Sequence, residues 1–487
     1  MIAQASRPRA LVQNISGQWQ RISSLALTLA FILTSAIIVL PWQQTAYAVS
    51  GSGDWPTYLS NNGRQGFNGA ETIINPSSAP HLKLHWTDAG KGAIFSQPVV
   101  SSGRIYWGSL DGYEHATNLN GIQVWQQFLG RTTPNCNSRV PLGVVSTATV
   151  ASVAVSGTMT SMVFVGGGNA NFYALNASSG AVIWKTALGA PSSNRFIWDS
   201  PAVYNGSVYI GVASIGDCPL VQGQLFQMNV STGAIQHIFN VVPKGCVGGG
   251  IWGSPTIDEG ADALYFATGN PGGCSTKDPY TVALVKLRAS DLSVMSSWQV
   301  PVAERTKDSD FGSTPTLFQA TINGSVHSLV GVANKNGIYY TFDRMTISSG
   351  PIWTAKIAIA GACPECGDGS ISPSAWDGNR LYVAGGKTTI NGSGCPGSLR
   401  ALNPATGAFI WQHCMKNGAV IGAVSVVPGV AVVVEGSYLV LVATTSGNTL
   451  FTYTGSTTTS HFYGAASISH GVLYIGNKDK KLYALGT

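Results

Sequence analysis

The sequence predicts an all-β chain in which four-stranded antiparallel blades close into an eight-bladed β-propeller. Three observations predict it. A unit of roughly 50 residues recurs down the chain. Each unit holds short alternating strands with Gly or Asn at the turns. No segment with a helical period of useful length interrupts them.

The first 48 residues read as an export signal. Arg7, Arg9 and Arg21 precede an apolar run from Leu25 to Leu40, and Ala46 and Ala48 flank Tyr47 at the spacing a signal peptidase needs. Cleavage after Ala48 leaves a mature chain starting near Val49. The alternative is an uncleaved anchor, although this run falls short of the ~20 residues of a usual span. Residues 49–80 are expected as an N-terminal extension packing on the propeller, and residues 81–487 as the propeller itself.

The repeating units begin near residues 96, 146, 199, 253, 313, 371, 422 and 464. Most open on a small residue with Pro, as in Ser200-Pro201, Ser254-Pro255, Thr314-Pro315 and Ser372-Pro373. Several end in Trp, among them Trp125, Trp184, Trp298, Trp353 and Trp411. A lone four-stranded sheet exposes two faces and two edges. Blades packed face to face around an axis bury the faces and leave only short edges. The last unit supplies about three strands and ends at Leu482-Tyr483-Ala484-Leu485. The strand 82–86, ending in Trp86, can complete it and close the ring. Seven blades is the alternative if the irregular unit at 422–463 is no blade of its own.

Composition narrows the function. Glycine at 59 and proline at 23 suit many tight turns, and 10% charged residues with 9% aromatics argue against disorder. The net charge of +6 has no Lys/Arg cluster behind it, so nucleic acid is not an expected partner. The scattered histidines give no zinc spacing, and no Gly-x-Ser-x-Gly elbow is present. The eight cysteines in an exported chain point to disulfides whose pairing the sequence does not give. For Cys363-Pro-Glu-Cys366 a metal knuckle or a redox pair is the alternative.

The repeats resemble those of the pyrroloquinoline quinone (PQQ) propeller proteins. Gly112, Tyr113, Ala116 and Trp125, and the run from Tyr173-Ala174-Leu175-Asn176 through Gly180 to Trp184, are similar to their tryptophan-docking motif. Asp54-Trp55-Pro56-x-Tyr58 with Arg64, Gly66 and Phe67 resembles their opening. Gly248-Gly249-Gly250-Ile251-Trp252, followed by Ala267-Thr268-Gly269-Asn270-Pro271, resembles a segment of the quinoprotein alcohol dehydrogenases. By that resemblance Trp252 is the floor under the quinone and Asn270 a calcium ligand. Asp308 and Asp310 fall where the family carries its acidic stretch, which implies a catalytic base and calcium neighbours. Asn334-Lys335-Asn336-Gly337 through Asp343-Arg344 resembles the stretch whose cation meets the quinone oxygens, a role that falls to Lys335.

Three features depart from that pattern. No two cysteines are adjacent, no cytochrome segment is present, and no motif selects a counterpart of the family's calcium-binding Glu among Asp199, Asp217 and Glu114. The resemblance implies PQQ and calcium as cofactors, oxidation of alcohol or sugar hydroxyls, and an external electron acceptor. The chemistry asks for these residue types: a flat rigid face, oxygen donors, a carboxylate base and a cation for charge growing on the ring. Each also has a plain structural reading: an inter-blade tryptophan, a turn-capping Asn, a solvated acidic loop and a hairpin lysine. The alternative for the whole protein is a non-catalytic propeller that binds a cell-envelope protein or polymer, since such scaffolds share the repeats.

Overall fold

The strands of the computed structural model form eight antiparallel sheets, each a blade of a propeller, and one small hairpin, Thr388–Ile390 with Ser393–Cys395. The structure describes residues 47–48, 53–135, 140–155, 157–273 and 278–487. The export segment therefore lies outside the described residues, apart from a two-residue strand at Tyr47–Ala48 beside Ala151 and Ser152. Among the described residues no helix is long and apolar enough to cross a membrane.

Blade one shows the plan. Its strands run Val99–Ser101, Arg104–Gly108, Tyr113–Asn118 and Gln123–Phe128, each paired with the next. The inner strands are covered on both faces by neighbouring blades and read as nearly continuous apolar or small residues. The outermost strand alternates, and its Trp125 is buried while Gln123 and Val124 are exposed. Apolar clusters bridge adjacent blades: Val99, Ala116 and Trp125 pack with Val150, Val163 and Val165 of blade two.

Two sets of side-chain bonds set the spacing between blades. In five blades an outer-strand indole donates to a carbonyl in the next blade. Trp86 reaches Leu119 (2.9 Å), Trp125 reaches Ala177 (3.0 Å), Trp184 reaches Val230 (3.1 Å), Trp353 reaches Pro404 (2.9 Å) and Trp411 reaches Thr444 (2.8 Å). The indole lies on a turn glycine of that blade. At Gly180, φ is +72° and a Cβ would sit 2.7 Å from Trp125, so only glycine permits the contact. Trp298 does not hold this position; in blade four Lys286 Nζ donates instead to Arg344 O (2.9 Å). Nearer the axis, hydroxyls stitch each innermost strand to the next. Gln97 N donates to Thr147 Oγ1, Thr147 N to Ser200 Oγ, Ser200 N to Ser254 Oγ and Ser254 N to Thr314 Oγ1, at 2.8–3.1 Å.

Strand Lys83–Ala89 pairs antiparallel with Lys481–Gly486 as the outer strand of blade eight, and Ser467 Oγ donates to Pro98 O across the junction with blade one. Ring closure thus joins strand Lys83–Ala89 to strand Lys481–Gly486, about 400 residues further along.

One face of the channel is covered by residues 54–68, which visit the blades in order. Trp55 exchanges backbone bonds with Val100, and Pro56 O accepts from Val150 N. Asn62 reaches Val203 O through its side chain and Ile257 N through its carbonyl, and Gly63 O accepts from Leu317 N. Gln65 O accepts from Trp376 N, Gly66 O from Val426 N, and Asn68 Nδ2 donates to Ile468 O. At the centre Arg64 is fully buried. It donates to Pro255 O (3.0 Å), Pro201 O (2.9 Å) and Tyr58 O (2.7 Å). Burial lowers its guanidinium to about 10, which still leaves it charged at neutral pH.

Every described cysteine is disulfide-bonded. Cys363 pairs with Cys366 and Cys395 with Cys414, and Cys218 and Cys246 are also bonded. Cys136 and Cys274 lie outside the described residues.

Candidate functional site

Trp252 stands in the loop leading into blade four, and Asn270 follows that blade's second strand, Ala263–Ala267. Asp308 and Asp310 occupy the loop between Gln299 and Thr316 that leads into blade five. Lys335 lies in the turn between strands Ser325–Ala333 and Ile338–Asp343, rather than at the start of the third strand. Loops of these two kinds open on the same face of the ring, opposite residues 54–68. The fold therefore brings all five side chains together.

Local sequence explains the placement. Asn334 is fully buried and donates to Ser309 O (2.7 Å), while Asn336 donates to Glu304 O (3.2 Å). The two asparagines thus pin the lysine turn onto the acidic loop from either side. Gly312 lies against the indole of Trp252, where a Cβ would come within 2.1 Å of the ring. Gly269 N donates to Gly250 O and Gly249 N to Asn270 O, both at 2.8 Å, which sets Asn270 beside the Trp252 loop.

The charged centre is closely connected. Lys335 Nζ is 2.6 Å from Asp310 Oδ1 and 3.0 Å from Asp308 Oδ2, and lies 5.0 Å from the Trp252 ring centroid. Trp252 Nε1 donates to Asp310 Oδ2 (3.1 Å) and Asn270 Nδ2 donates to Asp308 Oδ1 (2.6 Å). Burial is the largest influence on Asp310 and raises its carboxyl to about 7, with Lys335 opposing and Asp308 adding to the rise. Burial acts on Asp308 too. There the bond to Asp310, the Lys335 charge and Asn270 prevail and hold it below the usual carboxylate range. Burial likewise disfavours the Lys335 ammonium, but Asp310 and then Asp308 hold it above its ordinary value. Below about pH 7 the pair holds one proton and the ammonium balances the remaining charge; above it both carboxyls are ionised.

Trp252, Asn270, Asp310 and Lys335 line a cavity of about 180 Å³. Its other wall comes from blade three and includes Trp198, Asp217 and Leu220. Trp198 and Trp252 also border a second space of about 290 Å³ in the central channel, with Tyr58 among its lining residues. Trp198 was not among the candidate residues. It precedes Asp199-Ser200-Pro201 just as Trp252 precedes Gly253-Ser254-Pro255, and this recurring spacing is the signal for it.

A planar ring fits this site. An indole held against Gly312 forms one wall, Gly250 and Gly269 add no side chain to the lining, and the ammonium can meet ring oxygens. A calcium ion does not fit the arrangement as folded. Three of the four oxygens of Asp308 and Asp310 accept hydrogen bonds from Lys335, Trp252 and Asn270, and the fourth, Asp310 Oδ1, accepts none but lies 2.6 Å from the Lys335 ammonium. Asn270 turns its NH2, which cannot ligate a cation, toward Asp308. No group of three acidic, His or Cys side chains is placed for a metal among the described residues. Of the three alternatives for the missing Glu, only Asp217 lines the cavity, and it accepts from Ser214 Oγ (2.7 Å). Asp199 is buried beside the axis, accepting from Gly211 N, and Glu114 is buried in blade one.

Comparison with known proteins agrees with this architecture. The family profile described as outer membrane protein assembly factor BamB matches residues 143–358 and 298–487. A polyvinylalcohol dehydrogenase of Sphingopyxis sp. (strain 113P3) is 24% identical over 79% of this chain, which spans 63% of that protein's length. The outer membrane protein assembly factor BamB of Yersinia pestis is 24% identical over 65% of this chain and 70% of its own length. Among solved structures, a quinohemoprotein alcohol dehydrogenase from Comamonas testosteroni superposes with a TM-score of 0.71 at 16% identity, over 90% of this chain and 81% of that one. The last likeness shows the fold alone. With closed blades, docked tryptophans and a profile match over most of its length, the chain belongs to the PQQ-like β-propeller repeat family.

Proposed function

We propose that the protein is an extracytoplasmic oxidoreductase of the quinoprotein type, which oxidises hydroxyl groups with a bound planar quinone such as PQQ. The observation that carries this reading is the pairing of Asp310 and Lys335 in one cavity beside Trp252, with Asp308 holding the lysine from behind. A bound quinone would supply the two-electron acceptor, and an external acceptor would receive the electrons afterwards. The rest falls to the chain's own residues. Trp252 stacks on the ring and Gly250 and Gly269 leave room for it. Asp310 faces the cavity, and a carboxylate titrating near 7 is suited to take a hydroxyl proton at neutral pH. Asp308 stays ionised and holds Lys335 in place. Lys335 offsets negative charge developing on ring oxygens. The disulfides suit an oxidising compartment outside the cytoplasm.

Tryptophan fluorescence during a PQQ titration tests this, with Trp252→Phe and Asn270→Ala as controls. Micromolar binding weakened in both variants supports it, and a dye-linked screen of alcohols and sugars follows. Absence of binding at high micromolar PQQ removes it. The second reading is then a scaffold for an envelope protein or polymer, favoured by the likeness to BamB over 70% of that protein's length.

A further inference from the structure

From the occupancy of the Asp308–Asp310 pair, we infer that Lys335 stands in the place of a divalent cation, and that this site takes its planar ligand without a metal. The inference extends the quinone reading, and its first arm does not depend on that reading.

A calcium ion needs six to eight oxygens at about 2.3–2.6 Å. The charged oxygens beside the ammonium that a metal could recruit are those of Asp308 and Asp310. Two of them hold one ammonium, at 2.6 and 3.0 Å, and that ammonium sits at the point between the carboxylates where a shared cation would lie. The third accepts from the Trp252 indole and the fourth from the Asn270 amide. These two donors cannot simply turn away. Trp252 is fixed by contact with Gly312, and flipping Asn270 would point its carbonyl at a carboxylate. The turn that carries the lysine is fixed as well, because Asn334 and Asn336 tie it to the 304–309 segment. Asp217, the remaining acid of the cavity, belongs to the wall from blade three and is bonded to Ser214. A divalent ion would have to displace Lys335 and leave its ammonium partly buried with no partner.

The test uses the purified full chain and two probes. Equilibrium dialysis with calcium alone is expected to show no stoichiometric uptake at the site for the native protein. Lys335→Ala leaves two carboxylates facing an empty position and is expected to take up one calcium, which Asp308→Asn added to it abolishes. Thermal melting of each variant shows that it is folded. PQQ titration with EDTA or with millimolar calcium is expected to give dissociation constants within twofold of each other. One calcium bound by the native chain and lost in Asp308→Asn overturns the inference, as does PQQ binding that needs calcium. If PQQ binds under neither condition the quinone reading fails, while the dialysis result still decides whether Lys335 excludes the metal.

Discussion

Lys335 and Asp310 form the closest ion pair of the site, with Nζ 2.6 Å from Oδ1, yet the two are separated by a hairpin and joined only by folding. Asp310 nevertheless titrates far above an ordinary carboxyl because burial outweighs the lysine and Asp308 adds a like charge. Trp252 Nε1 is bonded to the other Asp310 oxygen, so indole fluorescence should report that ionisation. A titration of the native protein is expected to show a transition near 7 that Trp252→Phe removes. Asp308→Asn takes away the like charge and should move the midpoint down. Lys335→Met takes away the opposing cation and should move it up.

The same shift has a stability sign. A carboxyl whose folded value lies above its unfolded value contributes stability at low pH that is lost as the pH rises through the folded value. Asp310→Asn should therefore change stability least near pH 4 and gain relative to the native chain up to about pH 7. Melting curves at pH 4, 6 and 8 check the trend.

Glu114 is fully buried, and neither carboxylate oxygen has a hydrogen-bond partner among the described residues. Burial holds its carboxyl well above the usual range. Replacing it with Leu should stabilise the protein at pH 7 by about 1–3 kcal/mol, the typical cost of an unsatisfied buried polar group. The gain should shrink on acidification, when the native carboxyl is protonated in both states. No gain at pH 7 would mean that the carboxyl has a partner.

Arg64 ties the covering segment to blades three and four through Pro201 and Pro255. Arg64→Met strands several buried carbonyls and should cost at least ~3 kcal/mol. Arg64→Lys should recover only part of this, because one ammonium cannot reach carbonyls on opposite sides of a planar fork. Denaturant unfolding of the two variants measures the difference.

The docking motif can be tested in one blade. Gly180→Ala places a Cβ against Trp125 at a positive φ and should destabilise by about 1–3 kcal/mol. Trp125→Phe, which loses the bond to Ala177 O, is expected to cost about as much.

Much of this protein was legible in its sequence because the ring is built from repeats. The spacing of Ser/Thr-Pro starts and of outer-strand tryptophans follows the blades, and the same spacing marks Trp198 beside Trp252. Placing five candidate residues on loops of one face needed only the order of strands within a blade. What the sequence withheld depends on distance. Nothing in Asp308, Asp310 and Lys335 as a string says that one ammonium closes both carboxylates, and that contact is what disfavours the expected calcium. That residues 49–80 pack on the propeller was expected, but the blade-by-blade path of residues 54–68 was not, since its bonds run mainly through backbone groups to blades as remote as Ile468. Trp298 misled because it ends an outer strand as the docking tryptophans do, yet stands two places from the docking position, where Ser296 faces Lys286.

The proposed ligand of the Trp252 cavity is a planar quinone. A PQQ titration of the native protein, followed by tryptophan quenching and repeated with Trp252→Phe and Lys335→Ala, tests it most directly. Saturable micromolar binding is expected, with affinity reduced at least tenfold in Lys335→Ala and the quench largely lost in Trp252→Phe. Absence of saturable binding, or binding that neither substitution alters, would contradict it.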